Sequence, residues 1–365
     1  MTDSKSGNWD AVAAEAEVNP LLGELPEQYE LEMKVREGGM GAIYRAQNRY
    51  TGANFAIKIL LPKFAADEEM RARFITEAKA ASALKHTGIC QVRDFGITKG
   101  KMPYLVMDWL DGVTLHEYVC QKGPLHAREA IPIFIQIATA IGNAHKMKVV
   151  HRDLKPEHVI LCKNEMGHPT EVRIVDFGIA KLIHDETAPL PKEGLTMDGM
   201  VIGTPLYMSP QQIKGVKLDG ATDIYSLGCL MYFTLSGIPP FEGDTYMDVM
   251  YKHVNNPPPE FPSLVKVSAD LQNIIFRCME KLPEDRFHTM EELVTQLKKL
   301  TKGQSIDRKT LSHVREKNRQ KWITVVFFLV GFFVMLALSL LLQNFFDASD
   351  SKSAAPKKPA AASGK

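Results

Sequence analysis

Apolar and polar positions alternate in the first third of the chain, a pattern typical of half-buried strands. Such alternation, or a short apolar run, predicts strands at residues 31–35, 42–46, 55–60 and 104–107. Between residues 67 and 84 charges and alanines recur at helical spacing instead, which predicts one amphipathic helix. The first part of the chain is therefore expected to be strand-rich and to include one helix.

Helical patterns dominate from residue 115 to about residue 300. Residues 130–138 lead into a long apolar helix, and residues 223–235 are a second largely apolar segment, expected at the centre of this part. A strand-rich half followed by a helix-rich half predicts an α+β fold with two lobes and a ligand cleft between them. We expect the first lobe to end at about residue 107 and the second to begin at about residue 111.

The longest apolar run lies near the C-terminal end, where residues 323–342 carry no charge. At a rise of about 1.5 Å per residue this run matches a hydrocarbon core of about 30 Å and predicts one transmembrane helix. A buried core helix is the alternative, disfavoured because the run lacks a polar face. Nine Lys and Arg against two acids lie between Lys298 and Lys321, whereas four lysines follow the run. The positive-inside rule then places the large domain in the cytoplasm and the short tail outside the cell membrane, in a single-pass arrangement.

Composition describes the remaining segments and restricts the partners. We expect residues 1–28 to be a disordered acidic leader, residues 301–322 a basic juxtamembrane segment and residues 343–365 a disordered tail. A net charge of +1 gives no general reason to expect nucleic acid as a partner. The five cysteines are scattered without a C-x-x-C pair, which fits a reduced compartment and suggests neither disulfides nor a zinc site.

A glycine-rich turn and a strand lysine are the first candidates for chemistry. The turn at residues 37–41 lies between two predicted strands, and glycines without a Cβ let backbone amides approach phosphate closely. Lys58 lies in the third predicted strand, and a lysine that points inward from a central strand needs an anion. A phosphate would supply one, and Glu77 on the following helix would supply another. A plain hairpin turn is the alternative interpretation of the glycines alone.

Two further motifs carry the most specific signal. His-Arg-Asp-Leu-Lys-Pro-Glu-His spans residues 151–158, and Asp-Phe-Gly spans residues 176–178. A glycine loop, a strand lysine, a helix glutamate, H-R-D and D-F-G in this order form the signature set of protein kinases. Over residues 29–300 the chain resembles a bacterial eukaryotic-like Ser/Thr protein kinase, with Phe55 in place of one strand valine. The resemblance implies the two-lobed protein kinase fold, followed here by the C-terminal transmembrane helix.

The resemblance also implies a role for each matching residue. Asp153 would accept the proton of the substrate hydroxyl, and Lys155 would steady the γ-phosphate of ATP. Lys58 would hold the α- and β-phosphates and pair with Glu77, and Asp176 would bind Mg²⁺. Met107 would be the gatekeeper before the adenine-binding hinge at residues 108–110. The implied ATP-binding residues are Val35, Arg36, Glu37, Gly38, Gly39, Met40, Gly41, Ala42, Ile43, Ala56, Lys58, Met107 and Leu161.

His158 is the most consequential departure from the family pattern, because the family has an asparagine there whose oxygen binds the second metal ion. Neutral imidazole suits Mn²⁺ or zinc better than Mg²⁺, which prefers oxygen donors, and protonated imidazole would repel a metal. His158 is therefore a metal-site residue of altered chemistry. We expect weakened or manganese-biased catalysis.

Two other departures lie outside the reacting centre. Arg36 replaces the first loop glycine and is expected to point outward, with a contact to nucleotide or substrate as the alternative. Gln211 replaces a glutamate that would pair with an arginine such as Arg286. A neutral amide still hydrogen-bonds a guanidinium but loses the charge-assisted contact, which predicts a looser C-terminal lobe.

Residues 178–210 resemble an activation loop. Thr196 matches a threonine that bacterial relatives autophosphorylate, and Asp198 replaces a second one. Asp198 either pairs with Arg152 as a partial substitute for phosphate or is an exposed carboxylate without a partner. Unchanged activity of Asp198→Ala would contradict the first alternative. Thr204 matches the family's substrate-positioning threonine.

These observations predict a membrane-anchored Ser/Thr protein kinase that uses ATP and Mg²⁺, or Mn²⁺, and acts on cytoplasmic proteins including itself. Expected partners are protein substrates, the membrane and a second copy of the chain, with no nucleic acid. A membrane-tethered pseudokinase scaffold is the first alternative, favoured by His158 and disfavoured by the retained Lys58, Asp153 and Asp176. A kinase-fold enzyme acting on small molecules is the second alternative.

Overall fold

The computed structural model describes residues 23–38, 41–163, 167–177 and 205–303, together with the single positions 331 and 335. The elements below all belong to the compact unit Met1–Ile306. Within the described residues no helix is long and apolar enough to cross a membrane. The apolar run at 323–342 falls outside them except for Gly331 and Met335, so the membrane helix stays a prediction.

The first lobe is an antiparallel five-stranded sheet with two helices. Its strands pair in the order β1-β2-β3-β5-β4. The four predicted strands and the predicted helix are confirmed. β4 escaped prediction because charged residues and a glycine interrupt its alternation. The elements are β1 (Tyr29–Glu37), β2 (Gly41–Asn48), β3 (Asn54–Leu60), α1 (Pro62–Ala65), α2 (Glu68–Ala83), β4 (Val92–Ile97) and β5 (Pro103–Asp108).

Alternation along β3 places its side chains on two faces of the sheet. Ile57 and Ile59 are buried in one apolar cluster together with Val106 of β5. Leu60 and Leu105 belong to a second cluster on the α2 side, which includes Phe74. The strand period of two puts Lys58 on the same side as Leu60. Lys58 therefore points toward α2 and the second lobe, as the sequence pattern requires of an inward lysine.

The packed unit begins before residue 29. Leu25, which lies in the segment expected to be a flexible leader, is 6% exposed and belongs to the apolar cluster around Ile57. The backbone amide of Lys99 donates to the carbonyl of Glu24 at 3.1 Å. An apolar contact and a backbone hydrogen bond therefore attach the end of this segment to the sheet.

The second lobe is mostly helical and carries a small sheet of strand order β6-β7-β8. Three single 3₁₀ turns, at Pro156–His158, Pro205–Tyr207 and Pro283–Asp285, complete it. The predicted long helix and the predicted apolar segment are confirmed as α4 and α6. The elements are β6 (Gly112–Thr114), α3 (Leu115–Lys122), α4 (Ala127–Lys146), β7 (Val159–Lys163), β8 (Pro169–Ile174), α5 (Pro210–Ile213), α6 (Gly220–Ser236), α7 (Tyr246–Asn255), α8 (Ala269–Cys278) and α9 (Met290–Thr301).

Helix α6 is the centre of this lobe. Its residues from Thr222 to Ser236 are all buried, as expected of a helix that is apolar on every side. Asp219 caps its N-terminus by accepting from the amide of Ala221, and Gly237 ends it in the left-handed conformation at φ 79°. One acidic residue, Asp223, is fully buried in its first turn. A buried carboxylate needs donors, and the catalytic motif supplies them.

Candidate active site

Lys58 and Asp176 form an ion pair between β3 and the segment after β8. Lys58 Nζ lies 2.7 Å from Oδ1 of Asp176, and each side chain is 13% exposed. Burial alone would raise the pKa of Asp176, but the ammonium of Lys58 outweighs it and holds the pKa of the carboxyl well below its usual value. The anion that Lys58 was expected to need is thus Asp176 in this structure. The side chain of Glu77, the expected partner, lies outside the described residues.

The turn that carries Asp153 is held by a buried carboxylate of α6. Arg152 adopts a positive φ of 64°, a costly conformation for a residue with a Cβ. Asp223 stabilises this turn, because Oδ2 accepts the amide of His151 at 2.8 Å and Oδ1 accepts the amide of Arg152 at 2.9 Å. His145 Nε2 lies 2.7 Å from Oδ2 of Asp223. Although burial would raise the pKa of Asp223, these donors lower it, so the residue is a carboxylate.

The imidazole of His151 joins this turn to the Asp176 segment. Its Nε2 donates to the carbonyl of Val175 at 3.0 Å. Its ring packs against the ring of Phe177, with 4.7 Å between the ring centroids. Asp176 itself adopts a positive φ of 60°. The contacts on both sides of Asp176 therefore hold it in a conformation that an isolated chain would seldom visit.

Asp153 and Lys155 lie side by side, as the resemblance implies. Lys155 Nζ donates to Oδ2 of Asp153 at 3.0 Å. The side-chain amide of Gln212, in α5, donates to the carbonyl of Arg152 at 2.6 Å and so attaches the catalytic turn to the segment that follows the activation loop. A carboxylate beside an ammonium, on a braced turn, suits both proton acceptance and contact with a phosphate.

His158 lies between the two carboxylates. Its Nδ1 donates to the backbone carbonyl of Asp153 at 2.8 Å and lies 3.5 Å from Oδ2 of that residue. Its Nε2 lies 3.8 Å from Oδ2 of Asp176. Burial lowers the pKa of His158 to about 4, despite the opposing attraction of the two carboxylates. The ring is thus neutral at physiological pH, which removes the direct repulsion of a metal that protonation would cause.

The glycine turn has one position that admits only glycine. A Cβ built on Gly41 would lie 2.5 Å from the carbonyl oxygen of Ile59, whereas one on Gly38 would come no closer than 3.7 Å to Gly41. The amide of Gly38 donates to the carbonyl of Gly41 at 2.9 Å, which closes the hairpin. Gly39 and Met40 lie outside the described residues. Gly41 thus permits close strand packing, and Gly38 stays open to a ligand.

Arg36 is exposed beside a β-bulge of β1 and pairs in register with Ile43. Its exposure agrees with the expected outward orientation. Glu37, next to it, is exposed and forms an ion pair with Lys34 at 2.9 Å.

The predicted adenine-binding residues come from both lobes. Ala56 and Met107 are register partners on β3 and β5, and Met107 is 6% exposed. Leu161 of β7 is fully buried, and Val35 of β1 is 47% exposed. Ala42 packs in the cluster around Ile57, so its side chain belongs to the core and only its backbone is available to a ligand.

The hinge is fixed by a bidentate contact. Arg93 Nη2 donates to Oδ2 of Asp108 at 2.9 Å, and Arg93 Nε donates to the other carboxylate oxygen. This contact joins β4 to the end of β5. It holds the backbone after Met107 in place.

Gln211 contacts Arg286, as predicted. The fully buried guanidinium donates to Oε1 of Gln211 at 2.7 Å and to the carbonyls of Ala221 and Glu280, each at 2.7 Å. The amide of Gln211 in turn donates to the carbonyl of Lys281 at 3.0 Å. The hydrogen bond expected from a neutral amide is confirmed, and the expected loosening of the lobe stays a prediction.

The activation-loop residues Thr196, Asp198 and Thr204 lie outside the described residues, as does Gly178. The proposed pairing of Asp198 with Arg152 is therefore untested. Asp223, His145 and Gln212 support the catalytic turn and were missed as site residues. The available signal was Asp223 itself, a carboxylate at the start of a largely apolar helix, which is costly unless it accepts hydrogen bonds.

The donors at this place fit a divalent cation shared with a nucleotide. Oδ2 of Asp176 and Nε2 of His158 offer one oxygen and one nitrogen. In the described part of the chain no group of three or more His, Cys, Asp or Glu side chains makes a metal cluster by itself. Two protein donors suit an ion whose other ligands are phosphate oxygens and water.

Comparisons with known proteins agree with this geometry. The protein kinase domain family matches residues 29–297. The chain is 35% identical over 287 residues to serine/threonine-protein kinase PknB of Mycolicibacterium smegmatis, covering 78% of this chain and 44% of that protein. It is 36% identical over 279 residues to serine/threonine-protein kinase pkn3 of Myxococcus xanthus, covering 75% of this chain and 50% of that protein. The chain thus spans about half the length of the curated relatives it matches.

A solved structure gives the same result. The kinase domain of PknI from Mycobacterium tuberculosis matches with a TM-score of 0.58 and 25% identity, covering 76% of this chain and 97% of that one. The two-lobed fold, the ordered motifs and the family match agree over the same residues. The chain belongs to the protein kinase domain family.

Proposed function

We propose that this chain is an ATP-dependent Ser/Thr protein kinase that phosphorylates cytoplasmic proteins and itself. The observation that carries the proposal is the position of His158, whose one ring lies 3.5 Å from a carboxylate oxygen of Asp153 and 3.8 Å from one of Asp176. The presumed proton acceptor and the presumed metal ligand are thus neighbours within one buried cluster. Lys155 and Lys58 add one ammonium to each carboxylate.

Each residue of the cluster has a separate task. The carboxylate of Asp153 accepts the proton of a substrate hydroxyl, and Lys155 holds it in position and neutralises phosphate charge. Lys58 has a phosphate as an alternative partner to Asp176, as its place on β3 suits. The braced turn at Arg152 fixes Asp153 before substrate arrives, and such positioning supplies much of the rate in phosphoryl transfer.

A divalent cation would be held by Asp176 together with His158. When bound, the ion neutralises charge on the phosphate oxygens of ATP. The glycine turn at residues 38–41 and the apolar side chains of Ala56, Met107 and Leu161 supply a surface for phosphates and adenine.

Transfer of labelled phosphate tests this proposal. The full-length chain, incubated with γ-labelled ATP and either Mg²⁺ or Mn²⁺, should label itself and a model protein substrate. Asp153→Asn should reduce labelling by at least about a hundredfold, because the proton acceptor is lost. Asp244→Asn, an exposed aspartate outside the cluster, should leave it unchanged. Equal labelling by wild type and Asp153→Asn would contradict the proposal.

We further propose that residues 323–342 anchor the chain in the cell membrane with the kinase domain in the cytoplasm and the tail outside. The uncharged run and its basic flank support this. Phe332→Arg combined with Leu336→Arg should release the full-length chain from membranes, because each arginine at the centre of a span costs about 3 kcal/mol. Phe332→Leu with Leu336→Ile should stay membrane-bound. Membrane recovery of the double arginine variant would sink the anchor.

A membrane-tethered scaffold is the second candidate, and the observation that favours it is the histidine at a metal-binding position. It predicts nucleotide binding by the full-length chain without phosphate transfer under either metal. Self-association of two copies is a further proposal for either function, and cross-linking of the full-length chain in membranes tests it.

A further inference from the structure

The hydrogen bond of His158 defines which ring nitrogen carries its proton. Nδ1 lies 2.8 Å from the carbonyl oxygen of Asp153. A carbonyl oxygen only accepts, so Nδ1 is the donor, and the neutral ring has its lone pair on Nε2. The bond also ties the ring to the catalytic turn, so the direction of that lone pair is set by the backbone of Asp153.

The lone pair of Nε2 faces a second acceptor. Nε2 lies 3.8 Å from Oδ2 of Asp176, while Oδ1 of the same carboxylate takes the ammonium of Lys58 at 2.7 Å. Within the described residues no hydrogen-bond donor reaches Nε2. His158 is 7% exposed, and two acceptors that face each other away from bulk water are unfavourable unless a cation lies between them.

We propose that Nε2 of His158 and Oδ2 of Asp176 together ligate one divalent cation, and that this nitrogen donor shifts the preference of the nucleotide-bound site from Mg²⁺ toward Mn²⁺. The inference rests on the proposed function, because the nucleotide phosphates supply the remaining ligands. A first-row ion bound at about 2.0–2.2 Å from each donor can bridge two atoms at this separation. The kinase family pattern has an oxygen donor at this position, so the nitrogen is a property of this chain.

The direction of the shift follows from ligand chemistry. Mg²⁺ is a hard ion that favours oxygen and keeps its waters, whereas imidazole nitrogen suits first-row transition ions. Mn²⁺ accepts both donor types and has the lowest affinity for nitrogen in its series, so it gains modestly rather than completely. The site therefore discriminates between the two ions without excluding Mg²⁺.

An electron-spin measurement detects the nitrogen ligand directly. The full-length chain is prepared with ¹⁵N-labelled histidine and mixed with Mn²⁺ and an unlabelled, non-hydrolysable ATP analogue. We expect a ¹⁵N coupling in the Mn²⁺ spin-echo spectrum, which unlabelled adenine cannot produce. His158→Asn should abolish the coupling, and His158→Gln serves as a second variant with an amide oxygen. His288→Asn, which removes an exposed histidine outside the site, should retain it.

Calorimetric titration of the same analogue in Mn²⁺ and in Mg²⁺ measures the preference. In His158→Asn the ratio of the Mg²⁺ to the Mn²⁺ dissociation constant should fall by about tenfold or more, a typical effect of altering a metal's protein environment. Absence of the ¹⁵N coupling, or an unchanged ratio in a folded His158→Asn protein, would overturn the inference while nucleotide binding keeps the proposed function intact. Failure of wild type to bind the analogue with either ion would overturn both.

Discussion

Lys58 Nζ lies 2.7 Å from Oδ1 of Asp176, so a strand residue of the first lobe pairs with a residue that follows β8 in the second. The two residues are 118 positions apart in sequence. Both side chains are largely buried, and each would be an uncompensated charge without the other. The pair therefore joins the lobes at the place where nucleotide phosphates are proposed to bind.

Replacement of Lys58 by methionine tests this pair. We expect Lys58→Met to reduce phosphate transfer at least about a hundredfold, because a preorganised positive charge is lost. The free energy of unfolding should also fall by about 3 kcal/mol, because the Asp176 carboxylate stays buried without its partner. Lys99→Met, at an exposed lysine, is the matched control for both measurements. Retained transfer in a folded Lys58→Met chain would refute the assigned role.

The two glycines of the turn should separate folding from ligand binding. Gly41→Ala would force its Cβ to within 2.5 Å of the Ile59 carbonyl oxygen, so thermal unfolding should show a lower midpoint. Gly38→Ala meets nothing closer than 3.7 Å and should keep the wild-type midpoint. Calorimetric titration should show weaker ATP binding by Gly38→Ala, since its methyl group lies where a phosphate would approach the backbone. Unchanged midpoints for both variants would contradict this account of Gly41.

Gln211→Glu should stabilise the second lobe. A carboxylate would give Arg286 a charge-assisted contact, worth about 1 kcal/mol more than the present one. The carbonyl of Lys281 would lose the amide of Gln211 but keep the donation from Arg286 Nη2 at 3.1 Å. Chemical denaturation measures the gain, with Gln121→Glu on the surface as the control for added charge. A less stable Gln211→Glu chain would show that the amide is the better partner here.

His253 should make stability depend on pH. Its ring is fully buried, with Nδ1 2.9 Å from the hydroxyl of Tyr225, and burial next to Lys281 lowers its pKa to about 3. In the unfolded chain the pKa is about 6.5, so the unfolded state binds a proton first as pH falls. The stabilisation is complete above pH of about 6.5 and decreases below it, by about 2 kcal/mol at pH 5.

Denaturation at pH 7 and pH 5 measures this dependence. His253→Gln keeps a polar side chain without a titration and should lose about 2 kcal/mol less than wild type between the two values. His288→Gln, at an exposed position, should behave as wild type. Equal pH dependence of wild type and His253→Gln would mean that the buried ring is not the cause.

The fold was predictable because its elements follow local patterns. Alternation in β3 correctly placed Lys58 opposite Ile57 and Ile59, and the apolar segment of α6 was correctly expected at the centre of its lobe. The start of the packed unit was not predictable, because Leu25 is buried through contacts with strands that follow it in the chain. Composition near a terminus carries no information about such contacts.

The site was predictable in its members but not in its contacts. Motif order identified Lys58, Asp153 and Asp176, yet the pairing of Lys58 with Asp176 depends on the positive φ of Asp176, which tertiary contacts impose. The orientation of His158 depends on the carbonyl of Asp153, and the turn at that residue is held by Asp223. A contact across some 70 positions has no local signature, so the mismatch was visible in the sequence and its chemistry was not.

Phosphorylation of an inactive copy by an active one tests the central claim most directly. Full-length Asp153→Asn carrying a mass-distinguishable tag is incubated with ATP, Mg²⁺ or Mn²⁺, and untagged wild type, and its phosphorylated residues are mapped by mass spectrometry. We predict phosphoserine or phosphothreonine on the tagged chain only when wild type is present. No phosphorylation of the tagged chain under either metal, by a wild type that binds ATP, would contradict the kinase assignment.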